Sequence, residues 1–64
     1  MQGTVKRVYV DKGLGFIKGE DNIEYFFHRS ALKNVNIDEL EEGQDVSFED
    51  AEGLKGPKAE DVYV

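Results

Sequence analysis

Residues 12–32 read KGLGFIKGEDNIEYFFHRSAL, and the fold turns on how this stretch divides. Gly19-Glu20-Asp21-Asn22 is a polar turn signal. It separates two short apolar and aromatic runs, Lys12 to Lys18 and Ile23 to His28, which read as strands. Successive side chains of a strand point to opposite faces. Tyr25 and Phe27 therefore share one side and Phe26 and His28 the other, while Ile17 is set apart from Leu14 and Phe16. One face must form the core. Ile17, Tyr25 and Phe27 suit it, which leaves Leu14, Phe16, Phe26 and His28 together on the outside of two neighbouring strands.

Working outward, Thr4 to Val10 is β-branched and aromatic and is joined to the second strand through a turn at Asp11-Lys12-Gly13, so the first half is a three-stranded meander. Ser30-Ala31-Leu32 reads as a short helical turn, and Lys33 to Gly43 holds too few apolar residues for a helix and reads as a loop. Asp45 to Asp50 alternates, with Val46 and Phe48 on one face, and Lys58 to Val64 offers Val62 and Val64 for a last strand. A flat sheet of five short strands leaves long edges and buries one face only; closing it removes both problems. The expectation is an all-β, five-stranded antiparallel barrel occupying residues 1–64 as a single domain.

Composition narrows the chemistry. The chain has no cysteine and one histidine, so disulfides and thiolate metal sites are excluded, and no second imidazole exists to share a metal. No nucleophile motif or phosphate-cradling loop occurs, and the expectation is a non-enzyme without cofactor, metal or small-molecule substrate. The acidic run Asp38, Glu39, Glu41, Glu42 lacks the oxygen spacing of a calcium loop and reads as a solvated face. MQGTVKRVYV alternates instead of forming the apolar core of a signal peptide, so a cytoplasmic monomer without membrane contact is expected.

The net charge of −6 hides a division. Residues 1–33 hold six Lys/Arg against four Asp/Glu, a net of +2, and residues 34–64 hold two against ten, a net of −8. Exposed charges are screened beyond about 8 to 10 Å at physiological salt, so the local field decides docking. Outward rings among cations suit single-stranded nucleic acid, whose bases stack on Phe or His while its phosphates meet Lys and Arg. On this reading Gly13 and Gly15 keep the strand clear between the rings, so that a planar ligand can approach the backbone.

The motifs Gly3-Thr-Val-Lys6, Lys12-Gly-Leu-Gly-Phe-Ile17, Phe26-Phe-His28, Ser30-Ala-Leu32, Leu40-Glu-Glu-Gly-Gln44 and Gly56-Pro57 run in order along the chain, and together they resemble the bacterial cold-shock proteins. The resemblance implies an oligonucleotide-binding (OB) fold that binds single-stranded RNA or DNA, often as an RNA chaperone. It implies stacking by Phe16, Phe26 and His28, and a strand path lined by Lys6, Lys12 and Lys55. Where the family usually has tryptophan this chain has Arg7, and rings common elsewhere on the platform are replaced by Val8, Leu14, Arg29 and Ile37. Arg7 and Arg29 can stack a guanidinium plane or meet a phosphate, whereas Val8, Leu14 and Ile37 offer apolar contact only. The candidate interface is Lys6, Arg7, Lys12, Leu14, Phe16, Phe26, His28, Arg29 and Lys55. Tyr9 joins it or not according to a strand register that stays open. The alternative is a barrel of this family turned to protein interaction through its acidic half. RNA and DNA are not distinguished.

Overall fold

Two tight connections set the meander. After β1 (Gln2–Tyr9), Val10–Lys12 winds into one 3-10 turn that ends at Gly13, whose φ of +68° lies in the left-handed region. β2 (Leu14–Gly19) and β3 (Glu24–His28) are joined through a turn held by Asp21, whose carboxylate accepts from the Ile23 N–H at 3.1 Å and the Tyr25 hydroxyl at 2.5 Å. Asn22 takes the left-handed conformation there, which Asn tolerates better than most residues. β4 (Asp45–Gly53) and β5 (Gly56–Tyr63) form a second hairpin. The computed structural model describes every residue from Met1 to Val64.

The strands close into a barrel in the order β1-β2-β3-β5-β4. An odd number of staves cannot alternate direction all the way round a ring, so at least one neighbouring pair must be parallel. That pair is β3–β5, registered through Phe26 opposite Lys58 and continued by a parallel bridge from Leu32 to Val62. The other four pairings are antiparallel. The start of β1 bonds to β4 through Gln2–Thr4, and the Val5 N–H and C=O are taken by Gln44 O and the Gly43 N–H at 2.9 and 2.7 Å.

Val5, Ile17, Tyr25, Phe27, Leu40, Val46, Phe48, Ala59 and Val62 form the core, with the Tyr25 and Phe48 rings 5.0 Å apart. The inward assignment of Ile17, Tyr25, Phe27, Val46 and Phe48 holds. The loop between β3 and β4 contributes more than its composition suggests: 3-10 turns form at Arg29–Ala31 and Ile37–Glu39, and Leu40 plugs the barrel. β5 bulges near Asp61, a residue at φ +50°, which lets Val62 face inward like Ala59 three residues before it, whereas Val64 lies beyond β5 and is exposed.

A second bulge matters more for function. Val5 pairs with Ile17 and Arg7 pairs with Phe16, so Lys6 is an extra residue on β1. Plain alternation from the buried Val5 would put Arg7 and Tyr9 inside. The bulge resets the phase, so Arg7 and Tyr9 face outward and Val8, opposite Gly15, packs against the core. No helix in the chain is long and apolar enough to cross a membrane.

Candidate nucleic-acid interface

Register lines the outward side chains of β1–β3 into rows. One row runs Arg7, Phe16, Phe26 and, across the parallel seam, Lys58. Phe16 and Phe26 meet edge to face, with centroids 6.0 Å apart and planes at 67°. The next row runs Tyr9, Leu14, His28. A third, Thr4, Lys18, Glu24, closes the other end. Phe26 stays exposed, and Phe16 and Leu14 are half-buried between their neighbours.

His28 is held by its own chain. The Ser30 backbone N–H donates to His28 Nδ1 at 3.1 Å, capping the Arg29–Ala31 turn, and Ser30 Oγ lies 2.9 Å from the same nitrogen. With Nδ1 accepting, a neutral ring carries its proton on Nε2, an edge that has no partner in the protein. Arg29 is positioned by a bond from its N–H to Gly13 O at 2.8 Å, and its stem lies over Gly13, with Cδ 3.0 Å from where a Cβ there would stand.

The cations divide by partner. Lys6 Nζ reaches Glu24 Oε2 at 2.6 Å, Lys58 pairs with Glu60 at 3.1 Å and Lys33 with Asp61 at 3.5 Å. Arg7, Lys12, Lys18, Arg29 and Lys55 have no acid within ion-pair distance. The hydrogen bond from Lys6 holds the Glu24 carboxyl below its ordinary value, aided by the Lys6 charge and, more weakly, by Lys18 and Arg7. One end of the face therefore carries the Lys6–Glu24 pair beside the unpaired Lys18, and the end at Tyr9 and His28 carries the unpaired Lys12 and Arg29.

The structure brings Arg7, Lys12, Leu14, Phe16, Phe26, His28 and Arg29 to one side of the barrel, with Lys6 at its border. Lys55 stands apart at the tip of the β4–β5 hairpin, beside the fully exposed Leu54. Three readings need correction. Val8 and Ile37 are half-buried and pack against the core, so neither stands free on the outer face. Gly15 faces inward: a Cβ would lie 2.5 Å from Arg7 O and 2.6 Å from Phe27 Cζ, so the glycine makes room for a core ring and not for a ligand. Two residues join the face, Tyr9 through the bulge and Lys58 through the seam. The ring of Tyr9 was visible in the sequence; the bulge that turns it outward was not.

A protein-family model described as the 'Cold-shock' DNA-binding domain matches residues 1–64. The chain belongs to the cold-shock domain family. It is 45% identical over 60 residues to cold shock protein 2 of Lactiplantibacillus plantarum, covering 94% of this chain and 91% of that protein. Cold shock-like protein CspC of Bacillus cereus is 45% identical over 62 residues, covering 97% and 95%. Cold shock protein CspA of Staphylococcus saprophyticus is 48% identical over 61 residues, covering 95% and 92%. In this cold-shock domain an arginine, Arg7, stands directly opposite Phe16 in the outer row. A hollow of about 560 Å³ between the start of β1 and the end of β2 has no apolar lining residue, unlike the mostly apolar pockets that hold small molecules. No group of three or more His, Asp or Glu side chains is placed to hold a metal ion.

Proposed function

We propose that the protein binds single-stranded nucleic acid across the outer face of β1–β3. Bases stack on Phe16, Phe26 and His28, Leu14 supplies an apolar contact between them, and Arg7, Lys12 and Arg29 meet phosphates or stack guanidinium planes. Lys6 and Lys55 extend the path, Lys6 by exchanging Glu24 for a phosphate. The observation that carries this reading is the outward row Arg7, Phe16, Phe26, which crosses three strands and exposes rings beside a cation without an acid partner. An outward aromatic patch on so small a barrel marks a contact surface. A barrel turned to protein contact through its acidic half has no need of one.

The protein acts as an RNA chaperone by mass action: it binds the open form of a weak hairpin and draws the equilibrium toward it, without an energy source. Stacking tolerates every base, so binding is broad. Titration of a labelled single-stranded oligonucleotide and of its duplex at several salt concentrations tests the reading. The single strand binds more tightly, and log affinity falls against log salt with a slope of about −2 to −3 if three or four phosphates are neutralised. Equal affinity for the duplex, or a flat salt response, overturns it. Recovery of bound nucleic acid from cells distinguishes RNA from DNA.

A further inference from the structure

Tyr9 has no structural task that the barrel requires. Its side chain is exposed, its hydroxyl makes no hydrogen bond within the protein, and it lies outside the core cluster. Tyr25 is the contrast: it is buried, hydrogen-bonded to Asp21 and packed on Phe48. Yet Tyr9 is placed with care. The bulge at Lys6 turns it outward, the pairing with Leu14 sets it in line with His28, and Lys12 Nζ stands 5.7 Å from its ring centroid. The stem of Arg29 lies over Gly13, the residue next to Lys12 in the chain, so a second unpaired cation borders the same corner.

We infer that Tyr9 and Lys12 form a separate base-and-phosphate subsite at the β1–β2 corner of the face. One base stacks on the Tyr9 ring while the Lys12 ammonium leaves the ring for that nucleotide's phosphate. A ring with a mobile cation over it suits a nucleotide because it supplies a π face and a counter-charge to one unit of the strand. The subsite restores a stacking ring to a platform whose centre holds Arg7, and it places that ring beside two unpaired cations, Lys12 and Arg29. This inference rests on the proposed binding of single strands and adds a residue to it.

The chain has no tryptophan and three tyrosines, Tyr9, Tyr25 and Tyr63, so tyrosine emission is their sum and the comparison with Tyr9→Phe isolates the share of Tyr9. Oligothymidylates of about 4 to 8 nucleotides are the probes. Tyr9→Leu is expected to weaken binding about 5- to 150-fold, the equivalent of one lost stack, and Tyr9→Phe to keep wild-type affinity within about two-fold because the π face remains. The wild type loses tyrosine emission on binding, and Tyr9→Phe, with its ring intact, loses most of that quenching. Tyr9→Phe preserves the fold, so the quenching comparison decides the matter even where Tyr9→Leu fails to fold. Wild-type binding with no change in Tyr9→Leu, or unchanged quenching in Tyr9→Phe, overturns the subsite and leaves the proposed function standing. Absence of binding by the wild type overturns both.

Discussion

The two halves of the barrel bury similar residues and present opposite exteriors. On the inside, β1–β3 contribute Val5, Ile17, Tyr25 and Phe27, while β4–β5 contribute Val46, Phe48, Ala59 and Val62. On the outside, the first half sets Phe16 against Phe26 among cations, and the second sets Glu49 directly opposite Glu60, with Asp50 and Glu52 beside them. Like charges directly opposite one another destabilise a sheet. The fold would be served better by a neutral or mixed pair there, and it does not require rings at Phe16 and Phe26, although their edge-to-face contact adds some stability. Both departures lie on outward positions, where the core dictates nothing. The difference between the exteriors is what the proposed function uses: on that proposal one side attracts a polyanion and stacks its bases, and the other repels it.

The widest break in this comparison is expected from the rings. Phe16→Ala or Phe26→Ala should weaken single-strand binding by about 1 to 3 kcal/mol per base unstacked, while Glu49→Ala and Glu52→Ala leave it unchanged or slightly tighter. Oligonucleotide titration measures the first effect, and denaturant unfolding shows whether the barrel survives. Loss of affinity in the acidic-side variants to the same degree would falsify the division.

A smaller effect is expected at Arg7. Tryptophan there adds ring area and removes a charge, so Arg7→Trp should tighten binding at high salt and flatten the salt slope by about 0.7 if the guanidinium meets a phosphate. At low salt the gain shrinks, since the lost charge offsets part of the stacking. Arg7→Ala binding as well as the parent at every salt concentration would place Arg7 outside the site. On the acidic side, Glu49→Lys converts a like-charge pair into an opposite one and should raise unfolding stability by about 0.2 to 1 kcal/mol, with binding unaffected.

The smallest effects are expected from pH, and they act on the β2–β3 turn. The hydrogen bond from Tyr25 holds the Asp21 carboxyl below its ordinary 3.8, and the hydrogen bond from Lys6 holds the Glu24 carboxyl below its ordinary 4.5. Both values lie lower in the folded state, so this stabilisation is full above the ordinary values and is lost as pH falls through the folded ones. Tyr25 behaves in the opposite sense: donating to Asp21 and losing water on burial push its phenol from 10.0 to about 12. Its contribution is full below 10.0 and is lost as pH rises through about 12. Ultraviolet titration of the tyrosines should show one phenol ionising late, and Asp21→Ala should bring it back toward 10.0.

Period-two alternation made β2, β3 and β4 legible, and with them the rings on the outer face, because each of those strands keeps its phase over the residues that matter. β1 and β5 do not. The bulges at Lys6 and near Asp61 arise where strands bend to close the barrel, a demand of the whole ring that leaves no mark on local hydropathy. Hence the sequence leaves the side of Tyr9 open and groups Val8 with the outward platform positions. Leu40 and Ile37 reach the core from a polar loop, and Lys58 reaches the binding row only because β5 lies beside β3. Gly15 shows the same limit, since the ring it accommodates is Phe27, on another strand.

The parallel seam sets how the barrel breathes. β1–β3 form one unit of local contacts and the β4–β5 hairpin another, and on one side the strands themselves meet through a single ladder pair, Phe26 with Lys58, followed past the end of β3 by the Leu32–Val62 bridge, the Lys33 N–H to Val62 O bond and the Asn34 side chain on Val64. Partial opening of a native protein follows the line with fewest bonds, so the hairpin swings away from β3 before either unit unravels, and amide exchange along β5 reports that motion first. Phe26 sits on this hinge line. A nucleic-acid strand stacked on Phe26 and reaching Lys58 sutures the two units together, so occupancy appears as slowed exchange in β5, a strand that supplies none of the stacking rings.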